Sequence, residues 1–441
     1  MPLLLTAVMA FASVLPGPIV QGLAPPSPTE AAALRAAAHD TSAYTLPPKA
    51  LAQASALHRI AETLTLSSLL WTPLQLLLLL SFGWSRRFRD SAERLSRNRR
   101  TRTAAYLLLL LLTVDLLDLP FALYGHRVAL AYALSVQGWP SWFADKGKGL
   151  LLRWLLATPV AVGVLAAIRR APRRWWLAVW PPAVLFTLAG VLVTPYLVDP
   201  LFNHFDPLAQ SNPALVLRLQ QVVARSGIAI PPERMFRMSA SAKVTSLNAY
   251  VTGFGPSKRI VVWDTTIAHS TPDQIAYIFA HELGHYALSH VLVGITLSCL
   301  ALLPLFWLTH LGASALLRRY AARWKLRGLD DLAAIPALLL VLSLLSTLGD
   351  PIGNALSRRM EHNADVYAQE ALHTILPDPA IQPLGRASFQ SLGQTSLVDP
   401  TPHPLYDWFF STHPPIAQRA AFAAAYDPWT PGAAPKYFAK P

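Results

Sequence analysis

The stretch His281-Glu282-Leu283-Gly284-His285 decides how the rest of this chain is read. On a helix, histidines four residues apart project from one face, one turn apart, and their imidazoles can grip a single tetrahedral zinc ion. Glu282 follows the first histidine and falls beside the metal rather than on it. From there it can take a proton from water and later deliver it to a leaving amine. The plain alternative is a helix with two solvent-facing histidines.

A third protein ligand is needed, and a fourth position must stay open. Zincins that use a third histidine place it six residues after the second. Val291 stands there, which excludes that subclass. His290 is one residue short, at the wrong angle, and reads as structural or interfacial. A glutamate on a later helix is the other common choice. Glu361 fits it, and Asp365 lies one turn further along on the same face. An aspartate so placed can hold a ligating histidine by its free ring N–H. The single cysteine, Cys299, allows neither an internal disulfide nor a thiolate-rich metal site.

The surrounding composition belongs to a bilayer. Of 441 residues, 53% are hydrophobic and only 14% charged, against about 25% charged in an ordinary soluble domain. Six apolar runs approach the ~20 residues needed to cross a membrane: 64–84, 104–124, 150–168, 175–197, 291–310 and 332–348. The runs around Leu74 and Leu107 are too uniformly apolar for helices with one wet face. Asp115 and Asp118, inside the second run, should face the bundle interior or a water-filled cavity. Either a functional role or a hydrogen-bonded structural pair suits them. The net charge of +13 sits in arginine clusters between the runs. That pattern belongs to membrane loops, and nucleic acid is not an expected partner.

These readings give a mainly α chain: a multi-span helical membrane bundle with a small α+β zincin-like domain. Residues 1–63 form a signal-like or first-span segment and an Ala/Pro-rich linker with some helix. Residues 64–198 hold four spans, 199–290 the zincin-like domain, 291–356 two further spans, and 357–441 a segment that completes the metal site. In the zincin-like domain, 213–226 reads as helix and 248–253 and 259–263 as extended segments. The C-terminal segment starts helical, has a loop within 381–399 and ends in a Pro-rich, irregular tail.

Several blocks then carry a resemblance. They are Leu119-Pro120-Phe121, Asp145-Lys146, Pro200-Leu201-Phe202-Asn203, Asn248-Ala249-Tyr250-Val251-Thr252-Gly253, Ile260-Val261-Val262-Trp263-Asp264, the HELGH core, the block from Glu361 to Asp365, and Ser411-Thr412-His413-Pro414-Pro415. In order and spacing the chain resembles the type I CAAX prenyl endopeptidases, membrane gluzincins with the HtpX-like proteases as more distant relatives. The resemblance implies zinc, one per chain, on His281, His285 and Glu361, with Glu282 as base. It implies Asp365 as the carboxylate behind a ligand and Arg419 packed behind the site. It places His413 near the open position to stabilise an oxyanion, and Asn248 and Ala249 on an edge strand that pairs with substrate. An edge strand has unpaired N–H and C=O groups to which an extended peptide can add. The implied activity is peptide-bond hydrolysis by a zinc-activated water with a glutamate base, acting on a peptide or protein substrate, membrane-associated ones included.

Two competing readings set the tests. An intramembrane protease would take Asp350 as third ligand, but Asp273 and Gln274 make the approach to His281 polar. A membrane scaffold with a dead protease domain would need a broken motif, and the motif is whole. Arginine and lysine cluster at 86–102, 169–174 and 318–327. All three connections fall on one side if every run crosses, so the positive-inside rule puts the zinc site of a plasma or inner membrane protein on the extracytoplasmic face.

Overall fold

The structure is a computed structural model that describes residues 24–38, 40, 42–253, 258–373, 375–376 and 381–439. The apolar run at 2–19 and the tip of the turn after Gly253 lie outside the described residues.

Helix α1 (Pro28–Ala37) is opened by a capping box between Ser27 and Glu30. The bundle follows: α2 (Pro48–Ser81), a shorter α3 (Trp84–Leu95), α4 (Arg99–Ala131), α5 (Trp139–Arg170) and α6 (Trp175–Val193). After the catalytic domain come α10 (His290–Trp324) and α11 (Ile335–Ala371), which complete six helices long and apolar enough to cross a membrane. The helices outrun the apolar windows because a backbone leaving the bilayer keeps its helical hydrogen bonds until a breaker ends them. At the end of α2 that breaker is Gly83, with φ +70°.

The spans close into a ring in the order α2, α4, α5, α6, α10, α11 and back to α2. Polar side chains bridge neighbours in it. Asp118 accepts from Trp71 Nε1 at 2.9 Å and Gln75 Nε2 at 3.4 Å. Asp115 pairs instead with Arg153 of α5 at 2.5 Å. The two aspartates therefore do not form a mutual pair, and each joins its helix to a different neighbour.

The two ends of the ring differ. At one end the arginine-rich connections meet: Arg89 pairs with Asp331 at 2.7 Å and Arg327 with Glu93 at 2.6 Å. At the other end Lys243 of the catalytic domain binds Asp145 and the Phe202 carbonyl, both at 2.6 Å.

The catalytic domain adds β1 (Phe205–Pro207), α7 (Pro213–Ser226), β2 (Met235–Met238), β3 (Ala249–Thr252), β4 (Arg259–Trp263), a short α8 (Asp264–His269) and α9 (Pro272–Ala287). The sheet order is β1-β2-β4-β3, so β3 is an edge. β3 runs antiparallel to β4, with Ala249 opposite Val262, and packs against α9. Ile260, Val261 and Val262 of β4 are fully buried, as a central strand covered on both faces requires.

The segment 381–399, expected to contain a loop, is mostly helix: α12 spans Ile381–Thr395. Gly385 and Gly393 are both sites of close approach. A Cβ on Gly385 would come within 2.9 Å of Ala423 and of the Tyr277 hydroxyl, and one on Gly393 within 2.6 Å of the Tyr44 ring. Tyr44 belongs to the stretch read as a linker. Its residues 42–45 are strapped to α12 by Arg386, which donates to the Ala43 and Ser42 carbonyls, and by a reciprocal pair between Thr45 and Gln390. Two more helices, α13 (Pro404–Phe410) and α14 (Ile416–Ala425), follow.

Candidate metal centre

Helix α9 begins at a capping box, with the Thr271 hydroxyl accepting from Gln274 N–H and the Gln274 side chain accepting from Thr271 N–H. Pro272 occupies its first turn. Leu283 is fully buried and fixes the rotation of the helix, so His281, Glu282 and His285 share the opposite side. The helix stops at Leu288, and Ser289 at φ +58° separates it from α10. Helix α11 crosses α9 closely at Gly284, where a Cβ would stand 3.1 Å from the Tyr367 ring.

That crossing delivers Glu361. The ligand atoms of His281, His285 and Glu361 lie within 4.8 Å of one another. His281 Nε2 is 3.2 Å from His285 Nε2 and 3.2 Å from Glu361 Oε2, and His285 Nε2 is 3.5 Å from Glu361 Oε1. Ligands about 2.0–2.1 Å from a tetrahedral ion stand roughly 3.3 Å apart, so the spacing fits zinc. Glu361 Oε2 is also buried without a hydrogen-bond partner, which is costly unless a cation faces it. Asp350 is exposed and outside this group. It lies eleven residues before Glu361, or about 16 Å along the helix at 1.5 Å per residue.

Each histidine is oriented from behind. His281 Nδ1 is 2.8 Å from Asp365 Oδ1. Arg419 of α14 grips the same carboxylate with two bonds, at 2.9 and 2.7 Å, and stacks over Phe389. His290 Nδ1 lies 3.0 Å from His285 Nδ1. His290, set aside from the sequence for its angle to the metal, thus has the angle needed to fix the tautomer of His285. Its spacing after the motif was the available signal.

The electrostatics follow from this packing. Burial pushes the Glu282 carboxyl up to about 7. Burial would lower His281, but the hydrogen bond to Asp365 and the negative charge of the nearby Glu361 and Asp365 carboxylates outweigh it and raise the metal-free ring to about 10. Burial and the charge on His281 hold His285 at about 3. His413 stands at the mouth with Nε2 3.3 Å from Glu361 Oε2, and its Nδ1 lies 2.8 Å from the Thr412 hydroxyl. Desolvation in the cleft lowers its pKa.

The two edge-strand residues are placed differently. The Asn248 N–H donates to the Thr266 hydroxyl, and its carbonyl accepts from Trp263 N–H and that same hydroxyl. Its main chain is therefore occupied within the domain, and only its exposed side chain is offered outward. The bond from Trp263 to Asn248 sets the phase of the ladder, so Ala249 and Val251 direct their N–H and C=O groups away from β4. The Val251 N–H faces the Glu282 carboxyl.

Comparison with known proteins agrees with this architecture. Residues 209–427 match the family described as peptidase family M48, and residues 38–204 match the CAAX prenyl protease N-terminal region of five membrane helices. The chain is 32% identical over 345 residues to an uncharacterized metalloprotease, YhfN, of Bacillus subtilis, covering 78% of each chain. It is 28% identical over 324 residues to a CAAX prenyl protease 1 homolog of Oryza sativa, covering 72% of each. The crystal structure of S. mikatae Ste24p shares the fold, with a TM-score of 0.72 at 21% identity over 96% of this chain and 97% of that one. With its six apolar helices joined to this histidine and carboxylate cluster, the chain belongs to peptidase family M48, in its CAAX prenyl protease branch, and is a multi-pass membrane metallopeptidase.

Proposed function

We propose that the chain is a zinc-dependent endopeptidase that binds one zinc ion through His281, His285 and Glu361 and uses Glu282 as its general base. The observation that carries this reading is the convergence of those three side chains within 4.8 Å, with Glu282 beside them on α9. When bound, zinc supplies Lewis-acid polarisation and lowers the pKa of water to about 7.

The chain's own residues do the rest. An extended peptide adds to β3, where the outward main-chain groups of Ala249 hold it in register and the Asn248 side chain orients it. Glu282 takes the proton of the attacking water as the new C–O bond forms, then passes it to the amide nitrogen as the C–N bond breaks. Desolvation favours neutral His413, and we assign the tautomer in which its Nδ1 accepts from the Thr412 hydroxyl. Its proton therefore sits on Nε2, from which it donates to the developing oxyanion. Asp365 and His290 keep both ligating histidines in the tautomer that presents Nε2, and Arg419 anchors Asp365.

The relatives named CAAX prenyl proteases make prenylated C-terminal peptides the first membrane-associated substrates to assay. The arginine-rich connections that meet at Arg89–Asp331 lie opposite the site, which supports an extracytoplasmic catalytic face. A reporter that works only outside the cytoplasm, fused after Pro441, should be active, and activity of a cytoplasm-only reporter there would reverse the orientation. For the chemistry, Glu282→Gln should retain zinc near one per chain while hydrolysis of a fluorogenic peptide falls to about a hundredth or less, the usual worth of a general base. Near-normal turnover would remove Glu282 from this role.

A further inference from the structure

Helix α11 carries more of the site than its metal ligand. Asn354, Arg358, Glu361 and Asp365 recur at helical spacing along one stripe. Glu361 faces the histidines and Asp365 holds Arg419. The first two residues of the stripe face a different segment, the short helix α13 and the turn that follows it.

Helix α13 ends at Phe410, and its last carbonyls have no further turn to accept from. Two side chains of α11 take them. Asn354 Nδ2 donates to the Phe409 carbonyl at 2.6 Å. Arg358 Nη1 donates to the Trp408 carbonyl at 3.2 Å and to the Ser411 carbonyl at 2.5 Å, with the Asp407 carbonyl at 3.5 Å. Ser411 is two residues before His413. On the far side of His413, Pro414 and Pro415 restrict the backbone and lead into α14. There Arg419 returns to Asp365 of the same helix. The His413 segment is thus gripped by α11 on both flanks, with Glu361 between the grips. His413 itself is half exposed and is touched on its ring by Thr412 and Glu361.

We propose that Arg358, assisted by Asn354, is a positioning residue for the hydrolytic reaction: by capturing the carbonyls of Trp408 and Ser411 it fixes the backbone from which His413 reaches the oxyanion. This rests on the reading of His413 given above. A guanidinium suits the task because its rigid planar head holds Nη1 in place among these carbonyls, which an ammonium on a flexible stem does less well. The clamp stands one turn from Glu361 on the same helix, so ligand and oxyanion donor move as one body. Registration of this kind is worth about a hundredfold in rate when lost.

The test is a double-mutant cycle on the full-length, zinc-loaded protein with a fluorogenic peptide. Arg358→Ala should lower kcat by about tenfold to a hundredfold, leave KM within about twofold, and leave zinc content unchanged. Arg358→Lys should recover part of the loss, and Asn354→Ala should give a smaller loss of the same kind. The decisive readout is the double variant: Arg358→Ala with His413→Ala should be no slower than His413→Ala alone, since the clamp acts only through His413. Losses that multiply would overturn the inference, and so would zinc loss or unchanged kcat in Arg358→Ala. If Arg358→Ala does not fold, Asn354→Ala carries the same cycle. Normal kcat in His413→Ala would remove the oxyanion role and the clamp with it. Normal kcat in Arg358→Ala beside a slow His413→Ala would remove the clamp alone.

Discussion

The two halves of helix α11 invert one another. Before Pro351 several of its leucines are left outside, Leu339, Leu344 and Leu348 among them, with Leu348 at 72% exposure. After Arg358 its polar residues are inside: Glu361, Asp365, Gln369 and Glu370 are all buried. The whole molecule repeats this contrast. In the bundle, exposed leucines such as Leu70 and Leu185 face outward, and buried side chains are few. In the catalytic domain β4 and α9 bury most of their apolar side chains, and buried carboxylates occur where cations or hydrogen-bond donors can meet them. One helix can serve both regimes because its own backbone bonds are satisfied in either solvent. The surroundings alone decide which side chains may be exposed.

The strongest way to break this contrast is to empty the buried polar half of α11. Glu361→Ala leaves two histidine ligands, and both zinc content, measured by mass spectrometry of purified protein, and peptide hydrolysis should fall to background. Zinc retained at one per chain would assign the third ligand elsewhere.

The next effect is on packing. Leu283 is fully buried under the metal helix. Leu283→Ala should cost about 2–5 kcal/mol in reversible unfolding from detergent micelles. A loss below about 1 kcal/mol would mean that the domain core tolerates a cavity there.

Proton linkage gives a smaller and more specific signal. In the metal-free protein His281 is held protonated to about pH 10, whereas His285 is neutral above about pH 3. Zinc needs both lone pairs. Binding near neutrality must therefore expel one proton, from His281, and affinity should rise as pH rises. The expected slope is about one decade per pH unit, or about 1.4 kcal/mol, in competition titrations between about pH 6 and 8. Asp365→Asn removes the main partner that raises His281 and should flatten this slope while weakening zinc by roughly 10–100-fold. A slope near two in the parent protein would show that a second group, His285 or Glu282, also gives up a proton.

The smallest effect comes from the other side of the contrast. Leu70 is 72% exposed on α2, and Leu70→Ala should change stability in micelles by less than about 0.5 kcal/mol. A loss comparable to that of Leu283→Ala would mean that Leu70 is covered by protein.

Much of this was legible in the chain itself, for local reasons. Six long apolar runs can be little else than spans, because a bilayer imposes a length and a polarity that sequence displays directly. HELGH brings two histidines and a carboxylate together because helical periodicity turns spacing into geometry, and the block from Glu361 to Asp365 obeys the same rule. The order of β3 and β4 around their turn was readable from β-branched runs bounded by glycine.

What tertiary structure decided is how distant pieces face each other. No local pattern announces that Gly385 and Gly393 admit Ala423 and Tyr44, so 381–399 was expected to contain a loop and residues 42–45 to be linker. His290 was judged by its angle to the metal, when its partner is the back of His285. The grip of Asn354 and Arg358 on carbonyls 408, 409 and 411 cannot be read from sequence at all, because a backbone acceptor has no letter. Periodicity specifies which side chains share a face. Which main-chain groups that face will meet depends on how the helices cross, and that is set by close packing across the whole domain.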